Sequence, residues 1–86
     1  MPIDEERPDE PIEVIFFFGQ DERRPVRFRW NNRVVRIATS KGYWHRREGI
    51  TVCHYWAVTD HDGNYYELEM NADTLGWTLR RLVHAF

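Results

Sequence analysis

Residues 50–59 (ITVCHYWAVT) and 65–70 (YYELEM) each alternate in character along the chain, and a short polar segment containing Gly63 separates them. No other feature restricts the fold as much. A period of two belongs to strands, and two such runs around a glycine-bearing turn pair as an antiparallel hairpin. Loop length decides which side chains share a face. A loop of two or four residues sets Ala57 opposite Leu68 and Trp56 opposite Glu69, which mixes apolar with charged. A loop of three, His61-Asp62-Gly63 with Gly63 left-handed, sets Trp56 opposite Leu68, Val58 opposite Tyr66 and His54 opposite Met70. Only the second arrangement gathers the apolar side chains, so the three-residue turn is expected.

A second hairpin lies at residues 26–37 (VRFRWNNRVVRI). Asn31-Asn32 suits a two-residue type I′ loop, because Asn tolerates positive φ better than most residues with a side chain. Trp30 then opposes Arg33, Phe28 opposes Val35, and Arg27 opposes Arg36. A one-residue slip would mix the two faces, so burial pins the register. Residues 12–18 (IEVIFFF) form a further strand with Ile12, Val14, Phe16 and Phe18 on one face and Glu13, Ile15 and Phe17 on the other. Apolar residues on both faces point to cover on both sides or to an interface, and hence to self-association, with a homodimer expected. Residues 19–25 read as a polar connection, and residues 41–49 (KGYWHRREG) as a loop between glycines.

The ends are less decisive. Residues 1–11 hold three prolines and five acids and almost nothing apolar, which reads as a disordered acidic arm ahead of a single β domain over 12–86. Leu75, Leu79, Leu82, Val83 and Phe86 fall at helical spacing, while Trp77, Leu79 and Val83 also alternate as a strand would. The expected architecture is all-β, a six-stranded antiparallel meander curved into a half-barrel. Its core would be Val14, Phe16, Phe28, Trp30, Val35, Ile37, Trp56, Val58, Tyr66, Leu68 and Trp77.

Charge is segregated along the chain although the net value is only −2. Residues 1–22 carry eight acids and one base, residues 23–47 carry nine bases and no acid, and residues 48–86 carry six acids and two bases. Eight of the nine central bases are arginine, whose planar fork suits bidentate contact with carboxylate or phosphate. Arg27, Arg29 and Arg36 share one face of the second hairpin, and like charges placed opposite one another repel. Their candidate partners are nucleic-acid phosphates or an acidic protein, with the acidic arm or Glu13 as the internal alternative. Tyr43, Trp44, Arg46 and Arg47 add a mixture that can stack bases and hold a backbone. The alternative there is a Trp44 that plugs the core while the arginines stay in water.

Little else in the sequence carries chemistry. Cys53 is the single cysteine, so no intrachain disulfide forms, and a reducing, cytoplasmic setting is expected. The longest apolar run, Val14–Phe18, is too short for a membrane span or a signal-peptide core. Cys53 and His54 are neighbours on a strand and point to opposite faces, and the remaining histidines lack ligand spacing, so neither a metal nor a cofactor is expected. Glu67 and Glu69 share a face, yet they read as the wet side of a hairpin rather than as a catalytic pair. The expectation is a non-catalytic binding or accessory module, with an enzyme as the weaker alternative.

Ile12 and Val14, Pro25, Phe28, Trp30, Arg33, Trp44, Tyr55-Trp56, Val58, Gly63, Tyr66-Glu67-Leu68, Trp77 and Leu79 together form a pattern. In it the chain resembles a family of short bacterial proteins classed as a domain of unknown function. The resemblance covers about residues 11 to 83. A similar module ends Y-family-polymerase-like mutagenesis proteins, which implies a link to DNA-damage tolerance. This chain departs from the pattern at Asn32, where the family usually has glycine, and at Ala57, where it often has arginine. The resemblance implies structure rather than an activity, and it favours a strand for the C-terminal segment.

Overall fold

The computed structural model describes residues 4–85. Residues 1–3 and Phe86, the outer ends of the expected arm and of the C-terminal segment, lie outside the described residues. Seven strands follow in order: β1 (Glu5–Glu6), β2 (Glu10–Phe18), β3 (Arg23–Trp30), β4 (Arg33–Glu48), β5 (Thr51–Asp60), β6 (Tyr65–Asn71) and β7 (Trp77–Val83). Each of β2 to β6 pairs antiparallel with its successor, and β7 returns to β2 through Glu10–Leu79, Pro11–Thr78 and Ile12–Trp77. The sheet therefore closes into a six-stranded barrel, with β1 as an extra strand on β7. This is the expected six-stranded antiparallel meander, with its curvature carried through to closure by the β2–β7 pairing.

Both hairpin registers follow the apolar pattern. Trp56 opposes Leu68, Val58 opposes Tyr66 and His54 opposes Met70. Asp60 and Asn64 close the three-residue loop, with Gly63 at φ +87°. The Asp60 carboxylate accepts from the backbone N–H groups of Asp62 and Asn64, the Asn64 side-chain amide and the Tyr66 hydroxyl, all within 2.8–3.0 Å. Burial alone would raise that carboxyl's pKa, but these bonds favour the charged form and lower it. At the other hairpin Trp30 opposes Arg33, Phe28 opposes Val35 and Arg27 opposes Arg36, with Asn31 and Asn32 at φ +51° and +61°.

The barrel interior holds Ile12, Phe28, Val35, Trp56, Val58, Tyr66, Leu68, Leu79 and Leu82, with Val14, Phe16, Trp30, Ile37, Met70 and Trp77 packed around them. Every side chain of the expected core belongs to this cluster. Ile12, Leu79 and Leu82 join it because closure turns β7 inward against β2 and β6. The C-terminal segment is a strand, and its helical spacing has a local cause. Leu68 opposes Leu79 while Tyr66 opposes Leu82, so an extra residue bulges from β7 and puts two buried leucines three apart.

Two expectations are overturned. Residues 41–48 are not a loop: β4 runs to Glu48, and Gly49-Ile50 turn the chain so that Glu48 opposes Thr51. Register shifts between Ile37 and Thr39 and between Ser40 and Gly42 bend β4 from β3 onto β5, which extends pairing into a stretch with few buried side chains. In place of a disordered arm, Glu5–Glu6 pair with Leu82–Val83, and Glu10–Pro11 open β2. Opposite charge ties this segment down: Glu5 meets Arg81 at 2.7 Å, Asp9 meets Arg80 at 3.2 Å and Glu6 meets His84 at 2.5 Å.

Candidate functional site

The seven candidate residues divide between the two surfaces of the sheet. Arg27, Arg29 and Arg36 lie outside the barrel on β3 and β4, among Ile15 and Phe17 of β2 and Val34 of β4. Cross-strand neighbours share a face, and the pairs Ile15–Arg27, Phe17–Arg24 and Arg29–Val34 interleave apolar and cationic side chains. Arg29 is held by both oxygens of Glu13, at 2.7 and 2.8 Å, which is the internal alternative realised for that residue. Arg24 is paired with Glu22 and lies over the Phe17 ring. Arg27 and Arg36 face one another, and neither has an ion-pair partner among the described residues. The acidic N-terminal segment does not reach them, because it is engaged with Arg80 and Arg81 of β7 and with His84 just beyond it.

Trp44 and Arg46 also point outward, opposite Tyr55 and Cys53. Trp44 stacks on Tyr55 at 5.4 Å with planes 7° apart, and Arg46 lies 5.7 Å above the same ring. The indole thus shields the outer side of β5 rather than plugging the barrel. Burial, and then the bond from its hydroxyl to Glu69, push Tyr55 up to about 12, so it remains a proton donor to that carboxylate. Tyr43 and Arg47 occupy the opposite face of β4, opposite Trp56 and Val52, so the structure does not bring them to the arginine surface.

Tyr43 instead borders a cleft at one end of the barrel, about 700 Å³ in volume. Phe16, Trp56 and Trp77 form its wall, with Phe18, Tyr43 and Leu75 around its mouth. The β2–β3 connection, Gln20 to Arg23, supplies the polar side. The Tyr43 hydroxyl shares a 2.6 Å hydrogen bond with His54 Nδ1, and the two rings stack. Sequence reasoning placed Phe16, Trp56 and Trp77 in the core but did not see that they open onto a cleft. The usable signal was the placement of Phe18 on the same face of β2 as Phe16, at a strand end where the barrel interior runs out.

The remaining chemistry is sparse. Cys53 is buried, and that burial, reinforced by the Glu69 charge, raises its thiol pKa and disfavours the thiolate needed for nucleophilic or redox work. Among the described residues no three His, Cys, Asp or Glu side chains converge as a metal site requires. Among them, too, no helix is long and apolar enough to cross a membrane. Fold and surface define a small closed antiparallel β-barrel with an arginine-bearing outer face and an aromatic cleft at one end. No family model, curated protein or solved structure matches the chain.

Proposed function

We propose that this chain is a non-catalytic binding module that docks an acidic protein partner on the outer face of β2, β3 and β4. The observation that carries the reading is the uncompensated Arg27–Arg36 pair set among exposed apolar side chains, with Ile15 at 51%, Phe17 at 46% and Val34 at 57% exposure. Two opposed guanidinium groups call for an anion between them, and a carboxylate matches their geometry bidentately. The apolar side chains favour protein over nucleic acid at this surface. A phosphate backbone offers them nothing to pack against, whereas arginine beside aromatic and aliphatic groups is typical of protein interfaces. A second copy is the weaker candidate, because a two-fold interface through this face would set Arg27 and Arg36 against their own counterparts.

Fluorescence anisotropy of the intact chain tests this with three labelled probes: a peptide alternating Glu with Leu, polyglutamate, and single- and double-stranded DNA and RNA. The Glu–Leu peptide should bind tightest, should retain part of its affinity at high salt, and should be lost in the Arg27→Gln/Arg36→Gln variant. Tighter nucleic-acid binding with a steep salt dependence, abolished by the same variant, would replace the protein reading with a nucleic-acid one. Binding of none of the probes would remove the face as a docking surface.

A further inference from the structure

We propose that the cleft at the barrel end binds the methylated or quaternary ammonium head of an organic cation. The site lies apart from the arginine face, and the inference does not depend on the reading of that face.

The shape of the aromatic wall argues first. Phe16 meets Trp56 at 5.1 Å with planes 73° apart, Tyr43 meets Trp56 at 5.0 Å and 47°, and Trp56 meets Trp77 at 5.3 Å and 38°. Rings inclined in this way form a concave surface that suits a rounded group. A flat heteroaromatic ring needs two parallel faces with a gap between them. Tyr43 and His54, 17° apart, are the near-parallel pair bordering the cleft, and they are closed on each other at 5.9 Å. Aromatic faces carry the negative side of the ring quadrupole and attract a cation placed over them.

Charge argues second. Asp21 lines the cleft and has no ion-pair partner among the described residues, while its neighbour Glu22 is held by Arg24. Asp21 is exposed at the polar side of the cleft, and a neutral apolar guest gains nothing from its carboxylate. An ammonium head compensates it. The head fills only part of the roughly 700 Å³, which leaves room for an alkyl stem. Arg23 also lines the cleft and opposes a cation, which gives the test a direction.

The mouth argues third. Phe18 is 76% exposed and Leu75 is 69% exposed, and Leu75 is held at φ +62°, where a bulky side chain is strained. Strain kept at the mouth of a cleft is an expected mark of a binding site.

The experiment titrates the ¹⁵N-labelled intact chain with choline, with Nε-trimethyl-lysine and with 3,3-dimethyl-1-butanol, the uncharged isostere of choline, following the Trp56 and Trp77 indole N–H signals. Both cations should shift these signals saturably, and the isostere should bind roughly tenfold more weakly or worse, the scale of a partly desolvated cation–π contact. Tighter binding of trimethyl-lysine than of choline would show that the cleft also takes the stem. Phe18→Leu keeps an apolar group at an exposed position and should weaken choline binding, as should Asp21→Asn, whereas Arg23→Gln should tighten it. Spectra of the free variants verify that they are folded. Equal binding of the isostere, weaker choline binding in Arg23→Gln, or no saturable shift in the wild-type chain would each overturn the proposal.

Discussion

Arg27 and Arg36 oppose one another across β3 and β4 on the outside of the barrel, and neither has an ion-pair partner among the described residues. Like charges directly opposite in an antiparallel pair destabilise it. Arg36→Glu should therefore stabilise the free chain by roughly 0.2–1 kcal/mol, since attraction replaces repulsion. Urea unfolding at low and high salt checks this. The difference between variant and wild type should shrink as salt rises, because exposed charges are screened over about 8–10 Å at ordinary ionic strength. A variant less stable than wild type at low salt would mean that the pair is compensated in some other way.

His84 donates its imidazole to Glu6 where β1 lies along β7. The Glu6 hydrogen bond, aided by the nearby Asp4 and Glu6 charges, raises the His84 pKa above its usual value, and partial burial opposes it. The folded chain then holds this proton more tightly than the unfolded chain does. The stabilisation is fully present below the unfolded value of about 6.5 and is lost as pH rises through the higher folded value. Wild-type stability should decline over that window, and His84→Gln should flatten the decline. A profile that His84→Gln leaves unchanged would show that the contact contributes nothing.

At the β5–β6 turn two residues act through different physics. Gly63 sits at φ +87°, so Gly63→Ala should cost on the order of 1 kcal/mol or more through backbone strain. Asp60 accepts four hydrogen bonds with its carboxylate, and Asp60→Ala should cost roughly 1–3 kcal/mol because partly buried donors lose their acceptor. Chemical denaturation of both variants checks this. The Asp60 contribution should also fade in acid, since a lowered carboxyl pKa stabilises above the unfolded value, about 3.9, and is lost as pH falls through the folded one.

The two hairpins were legible because an apolar face, a glycine and an Asn-Asn pair all demand the same register. Barrel closure was not. It rests on Glu10–Ile12 pairing with Trp77–Leu79, an association between distant segments that no local signal specifies. The bulge in β7 hid that strand further, since Leu79 and Leu82 both face inward while spaced as on a helix. The far half of β4 was missed because neither of its faces buries much, and backbone pairing with β5 holds it extended. Its cue was Gly49-Ile50 ahead of a β-branched run, since a type II′ loop places glycine first. At the candidate sites, Arg27 opposite Arg36 could be read from the hairpin alone. The cleft could not, because Phe16 of β2 meets Trp77 of β7 only once the barrel closes, and Tyr43 borders Trp56 only because β4 continues through residues 41–48.

Leu75 gives the last prediction, because its conformation and its exposure pull in one direction. It lies in the β6–β7 connection at φ +62°, a region that costs a residue with a side chain roughly 1 kcal/mol or more. It is 69% exposed, so burial returns little of that cost. The turn itself is built by Asn71, whose carbonyl accepts from the Leu75 N–H and whose side chain accepts from the Asp73 and Thr74 N–H groups. None of these bonds involves the Leu75 side chain, so Leu75→Gly preserves the turn. Glycine loses more backbone entropy on folding, by roughly 0.5–1 kcal/mol, and this offsets part of the relieved strain. The variant should be unchanged or more stable by up to about 1 kcal/mol. Choline binding should weaken at the same time, because a wall of the cleft mouth is removed. Thermal unfolding and the choline titration, run on the same preparation, separate the two effects. A loss of stability beyond about 1 kcal/mol would show that Leu75 is held by packing. Unchanged choline affinity would show that its strained placement serves no ligand at this mouth.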